Sequence, residues 1–157
     1  MIKQEIKKIQ FNYLVPSFYL PARTALKAFI LQLFKNEGAR IGSINYIFCS
    51  DEYLLKINRD FLDHNTYTDI VTFQYTDPKA PVTSDIYVSI DRVRENAKKY
   101  RNSFRNELFR VLFHGALHLC GYKDKLQRDI QLMRAKEEYY LKKYVSRETK
   151  RRGRSNI

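Results

Sequence analysis

The apolar residues of this 157-residue chain change their spacing several times, and that alternation limits the folds open to it. Ile9, Phe11 and Tyr13 alternate with polar residues, the period of two that buries one face of a strand. From Pro21 the period lengthens. Ala22, Ala25, Leu26, Phe29, Ile30, Leu33 and Phe34 recur three or four apart, an amphipathic helix with Gly38 as its stop. Ser43 to Cys49 is again β-rich, and Ser50 then caps a short helix whose first turn holds Asp51 and Glu52. Ile70 to Tyr75 reads as a buried strand, and Asp77 to Thr83, with two prolines, as a loop. Ile86, Val88 and Ile90 alternate as another strand, with Asp91 placed to cap a helix to about Tyr100. Asn102 and Ser103 start a further helix through Phe104, Leu108, Val111, Leu112 and Leu119, stopped by Gly121. A last helix spans roughly Leu126 to Tyr144. The order β, α, β, α, β, β, α, α, α predicts an α+β fold, a small mixed β-sheet of about four strands packed with about five helices.

One domain is expected over residues 1–145, followed by a basic, disordered tail over 146–157. No apolar run approaches the roughly 20 residues of a membrane helix. The stretch MIKQEIKKIQFNY has no apolar signal core, and two cysteines, Cys49 and Cys120, build no disulfide framework. Those features lead us to expect a cytoplasmic protein.

Charge gives the first indication of a partner. The formal net charge is +12 and the pI about 9.7. The final twelve residues carry +4 of that excess, so the remainder keeps +8. Such a surface attracts polyanions, of which nucleic acid is the commonest in a cytosol, and tyrosines are available to stack unpaired bases.

Two of the three histidines, His114 and His118, stand four apart on the same predicted helix. Residues at that spacing share a face, so two imidazoles can converge on one ion, with zinc the natural choice. Gly115 between them lets another group approach the backbone closely. A third ligand is open on the residues alone. Asp124 follows the helix stop at Gly121 and can fold back, Cys120 points to another side, and His64 arrives only through the fold. Gly115 also stands where metallopeptidases of the His-Glu-x-x-His type carry their general base, which argues against a peptidase.

The segment His114-Gly-Ala-Leu-His118-Leu-Cys-Gly121-Tyr122 resembles the signature H-G-x-L-H-L-x-G-Y-D-H of the YbeY-type endoribonucleases. Thr68-Asp69-Ile70-Val71-Thr72-Phe73 is similar to that family's T-D-V-L-S-F strand, and Ser84-Asp85-Ile86-Tyr87-Val88-Ser89 to its G-D-I-x-I-S strand. Met133 and Glu137 match an M-x-x-x-E pattern in its last helix. The resemblance covers about residues 50 to 145. It implies a zinc-dependent, single-strand-specific endoribonuclease of ribosomal RNA maturation and ribosome biogenesis, holding one Zn2+ at the end of a helix and acting on single-stranded RNA or ribosomal particles. Residues 1–145 would then be a catalytic metal-binding domain.

Two departures accompany the resemblance. Lys123 and Asp124 stand where the family has Asp-His, so the implied metal ligands are His114, His118 and Asp124. The family's arginine before the T-D-V strand falls on Leu62, and Arg59, one helical turn earlier, is the candidate to contact the substrate phosphate in its place. The alternative reading is an RNA-binding ribosome-assembly factor whose metal site is structural.

Overall fold

The computed structural model describes residues 2–155, with the side chains of residues 3–153. A one-turn helix, α1 (Ile2–Glu5), leads through a 3-10 turn (Ile6–Lys8) into β1 (Ile9–Tyr13). There follow α2 (Arg23–Asn36), β2 (Ile41–Cys49), α3 (Asp51–Leu62), β3 (Ile70–Gln74), β4 (Val82–Ser89), α4 (Ile90–Lys99), α5 (Phe104–Leu119) and α6 (Gln127–Ser155). The strands form one sheet in the order β1-β2-β4-β3. β1 and β2 are parallel, as are β2 and β4, while β3 runs antiparallel beside β4. This is the mixed-sheet α+β architecture expected from the apolar spacing, with α1 as an extra helix at the N-terminal end.

Three helices start by the same device. Ser50, Ser89 and Ser103 each accept, through the side-chain hydroxyl, a hydrogen bond from the backbone N–H three residues on, at 3.1–3.2 Å. The cap of α4 is therefore Ser89 and not Asp91, because the helix begins earlier than the strand pattern suggested. Asp91 sits in the first turn instead, where its carboxylate accepts from the Asp51 N–H at 2.9 Å. The loop expected over Asp77 to Thr83 is shorter for a similar reason, since Val82 and Thr83 already pair with β2.

Helix α5 lies between the sheet and α6, and it is apolar nearly all round because both sides are covered. On the sheet side, Tyr46 of β2 donates its hydroxyl hydrogen to the Leu112 carbonyl at 2.9 Å. A Cβ on Gly115 would stand 2.8 Å from Ile70 Cδ1 and 3.4 Å from Ile86 Cγ2. The group that approaches Gly115 is thus the sheet, not a ligand. On the other side, Tyr144 of α6 packs edge-on to Phe109 and Phe113, with ring centroids 4.8 and 5.7 Å apart. Gly121, at φ +106°, adopts the left-handed conformation that ends the helical segment, as its position suggested.

The expected break near Tyr144 does not occur. Helix α6 runs on to Ser155, so the stretch from Ser146 is helical rather than a disordered tail as far as the described residues reach; Asn156 and Ile157 lie outside them. The physical reason is Glu148. It is buried, and it pairs with Arg105 on α5 and with Arg151 one turn later. A stretch with a mostly charged composition is held because one of its carboxylates has a partner on the neighbouring helix. Among the described residues, no helix is long and apolar enough to cross a membrane.

Candidate active site

Helix α5, the start of β3, the turn after α4 and the first half of α6 enclose a cleft of about 920 Å³. His114, His118 and Asp124 all line it, together with Asp69 and Glu137. The spacing of the histidines along α5 brings both rings to this face.

Each ring is oriented by one nitrogen. His114 Nδ1 lies 2.8 Å from Glu137 Oε2, and His118 Nδ1 lies 3.1 Å from the Tyr122 carbonyl oxygen. A carbonyl only accepts, so His118 carries its proton on Nδ1, and the Glu137 carboxylate favours the same tautomer in His114. Both Nε2 lone pairs are then left for another partner. His114 Nε2 faces Asp124 Oδ2 at 3.3 Å. Two imidazole nitrogens with their other nitrogens anchored, and a carboxylate across from one of them, are the donor types zinc takes. Among the described residues no three such side chains are gathered closely enough to hold an ion, and Asp124, exposed on the loop after Gly121, is the donor farthest from the rigid helix.

The electrostatics follow from burial among carboxylates. Burial opposes the charged form of His114, but the hydrogen bond to Glu137 and the charges of Glu137, Asp124 and Asp69 outweigh it and raise the imidazole above its ordinary value. Asp69 is pushed up, chiefly by burial, with His114 opposing. Glu107, which also lines the cleft, is likewise raised by burial, against the pull of Asn102 and Arg110.

The remaining sequence candidates lie elsewhere. Arg59 is on the last turn of α3, where its Nε donates to Asn65 Oδ1 at 2.5 Å, and neither it nor Leu62 lines the cleft. The arginines that do are Arg101, Arg110 and Arg134. His64 follows α3, exposed and also away from the cleft. Burial first, and then the charge of Glu37, push the Cys120 thiol up to about 12, so it stays protonated near neutral pH.

One residue was not foreseen. Glu37, the C-cap of α2, accepts hydrogen bonds from the hydroxyls of Tyr122 and Tyr140 and from Lys136 Nζ. Tyr122 supplies the carbonyl that orients His118, so Glu37 helps to fix the turn beneath that ring. Burial would raise the Glu37 carboxyl, but the two tyrosines and Lys136 prevail and hold it below its ordinary 4.5. A lowered carboxyl contributes stability above 4.5 that is lost as pH falls through and below that value. Glu37→Gln should therefore be less stable than the wild type at neutral pH, and the gap should close on acidification below about 4.5. Urea midpoints at a series of pH values measure this, and parallel curves for the two proteins would rule it out.

The sequence and fold have known counterparts. The family model described as "Endoribonuclease YbeY" matches residues 17–145. The endoribonuclease YbeY of Cytophaga hutchinsonii is 49% identical over 121 residues, 77% of this chain and 85% of the relative. That of Flavobacterium johnsoniae is 48% identical over 130 residues, 83% of this chain and 92% of the relative. In fold, a Thermotoga maritima protein solved in solution superposes with a TM-score of 0.64 at 24% identity, over 91% of this chain and 93% of the other. Because the family match runs unbroken through β3, α5, the Asp124 loop and Glu137, which together build the cleft, this chain belongs to the YbeY endoribonuclease family.

Proposed function

We propose that this protein is a zinc-dependent endoribonuclease that cuts single-stranded RNA and acts in the cytoplasm on ribosomal RNA during its maturation. The observation that carries the reading is the pair of anchored imidazoles, His114 tied to Glu137 and His118 to the Tyr122 carbonyl, presenting both Nε2 atoms to the cleft that Asp124 also lines. His114, His118 and Asp124 would hold the ion, which when bound supplies a Lewis acid and a water acidified toward neutrality. The chain's own part is positional. Glu137 and the Tyr122 carbonyl fix the two rings, and Asp124 closes on them from its loop. Arg110 is engaged by Glu107 and Glu138, which leaves Arg101 and Arg134 to meet the phosphates flanking the scissile bond.

The position of Arg59 outside the cleft favours a second reading, an RNA-binding ribosome-assembly factor whose metal is structural. One experiment separates the two. Protein purified without added metal is assayed for zinc and for cleavage of single-stranded RNA, before and after chelation, beside His114→Ala. The enzyme reading expects bound zinc, and cleavage that is lost both on chelation and in the variant. Zinc and RNA binding without cleavage would establish the second reading instead, and cleavage indifferent to His114→Ala would reject the first.

A further inference from the structure

The net charge of +12 does not reside in the cleft. Five carboxyl groups line it, Asp69, Glu107, Asp124, Glu137 and Glu138, against three guanidinium groups. A dication held there would do no more than balance that excess. A polyanion drawn to this protein must therefore find its positive field somewhere else.

A second groove of about 860 Å³ has the opposite balance. Lys8, Lys35, Arg40 and Arg147 line it, together with Arg151, which Glu148 pairs, and Glu5 is the one carboxylate among the lining residues. The cations come from four separate places, the turn before β1, the last turn of α2, the approach to β2, and the C-terminal half of α6. They surround a floor that includes Ala25, Leu31 and Ile41. The guanidinium carbon of Arg147 stands 5.4 Å from the Phe29 ring centroid, a cation–π contact that helps to hold its side chain. The groove and the cleft share no lining residue. Both take residues from α6, where Glu138 of the cleft and Arg147 of the groove are nine residues apart, about 14 Å along the helix.

We infer that this α2–α6 groove is an accessory anchoring site for the backbone of single-stranded RNA, distinct from the cleft and reached by a strand that runs along α6. Its charge fits a polyanion, and the distribution of cations over four elements suits a run of phosphates better than a single one. Phe29, Phe34 and Tyr144 also line the groove, but their side chains are almost fully buried and leave little ring face for bases to stack on, so the contacts are to the backbone and carry no sequence preference. The inference takes its ligand from the RNA-directed reading above but does not need cleavage.

The test is binding of a short fluorescein-labelled oligouridine to the full chain in the presence of chelator, by anisotropy across a salt series. The triple variant Lys8→Gln/Lys35→Gln/Arg147→Gln should bind about tenfold or more weakly at low salt, and its log–log salt slope should be shallower by about 2, at about 0.7 per lost phosphate contact. Lys56→Gln/Arg94→Gln/Lys98→Gln removes the same charge from α3 and α4 and should leave slope and affinity near wild type. Lys8→Arg/Lys35→Arg/Arg147→Lys should bind like wild type, which separates lost charge from lost fold. Equal losses in the two neutralised triples would overturn the inference in favour of a diffuse field. No loss in the first would overturn it and leave the groove to an acidic protein segment. Groove-dependent binding by a chain that never cuts RNA would reject the enzyme reading and leave this one standing.

Discussion

Replacing Asp124 by alanine is expected to empty the zinc site, whereas Asp124→His keeps it filled and His64→Ala changes nothing. Asp124 Oδ2 is the oxygen that faces His114 Nε2, at 3.3 Å, and it belongs to the loop that leaves α5 at Gly121. With it gone, two imidazoles remain, too few for a stable tetrahedral site. The loss should exceed the roughly 10- to 100-fold that removal of a mere supporting partner costs. Imidazole at the same position restores a nitrogen donor of a kind zinc accepts, on a loop that is exposed at that position. His64 lines no part of the cleft. Zinc stoichiometry and affinity for the three variants decide the matter. A full site in Asp124→Ala beside an empty one in His64→Ala would overturn the ligand assignment.

The second large effect belongs to Glu137, which touches no ion in this arrangement. Its carboxylate is buried on α6 and accepts from His114 Nδ1 at 2.8 Å. Glu137→Ala removes the acceptor that sets the ring's tautomer and direction, and zinc affinity should fall by about 10- to 100-fold. It also strands a polar N–H in a mostly buried place, at a cost of about 1–3 kcal/mol in folding stability. Glu137→Gln keeps the shape and one accepting oxygen, so it should lie between wild type and alanine on both scales. Calorimetric zinc titration beside urea unfolding measures the two effects separately. An alanine variant with undiminished zinc affinity would remove Glu137 from the site.

The order of strands and helices was legible because the apolar period is a local property, and the serine caps of α3 and α5 were legible because a cap needs only its own helix. His114 and His118 were legible for the same reason, one helix and one spacing. What was not legible depends on distant partners. The continuation of α6 past Tyr144 rests on Glu148 meeting Arg105, a residue on another helix, and nothing within 146–155 reveals it. The Glu37 cluster joins the end of α2 to Tyr122 and Tyr140, 85 and 103 residues further on. Net charge fell short in a different way. As a sum over the whole surface it names a polyanion but no place, and the cleft holds more carboxylates than guanidinium groups while a separate groove gathers cations.

The close seating of α5 on the sheet at Gly115 has a consequence for the order in which the site is made. Backbone amides near His114 lie in a helix covered by β4 on one side and α6 on the other, so their hydrogens should exchange with solvent only when the whole molecule unfolds. Amides of residues 123–126 have no such cover and should exchange through small local openings. On the zinc reading proposed above, the two imidazoles would be set at the moment of folding and the carboxylate afterwards, on arrival of the ion. Zinc loading should accordingly slow deuterium uptake in the Asp124 loop while leaving the α5 amides where they were.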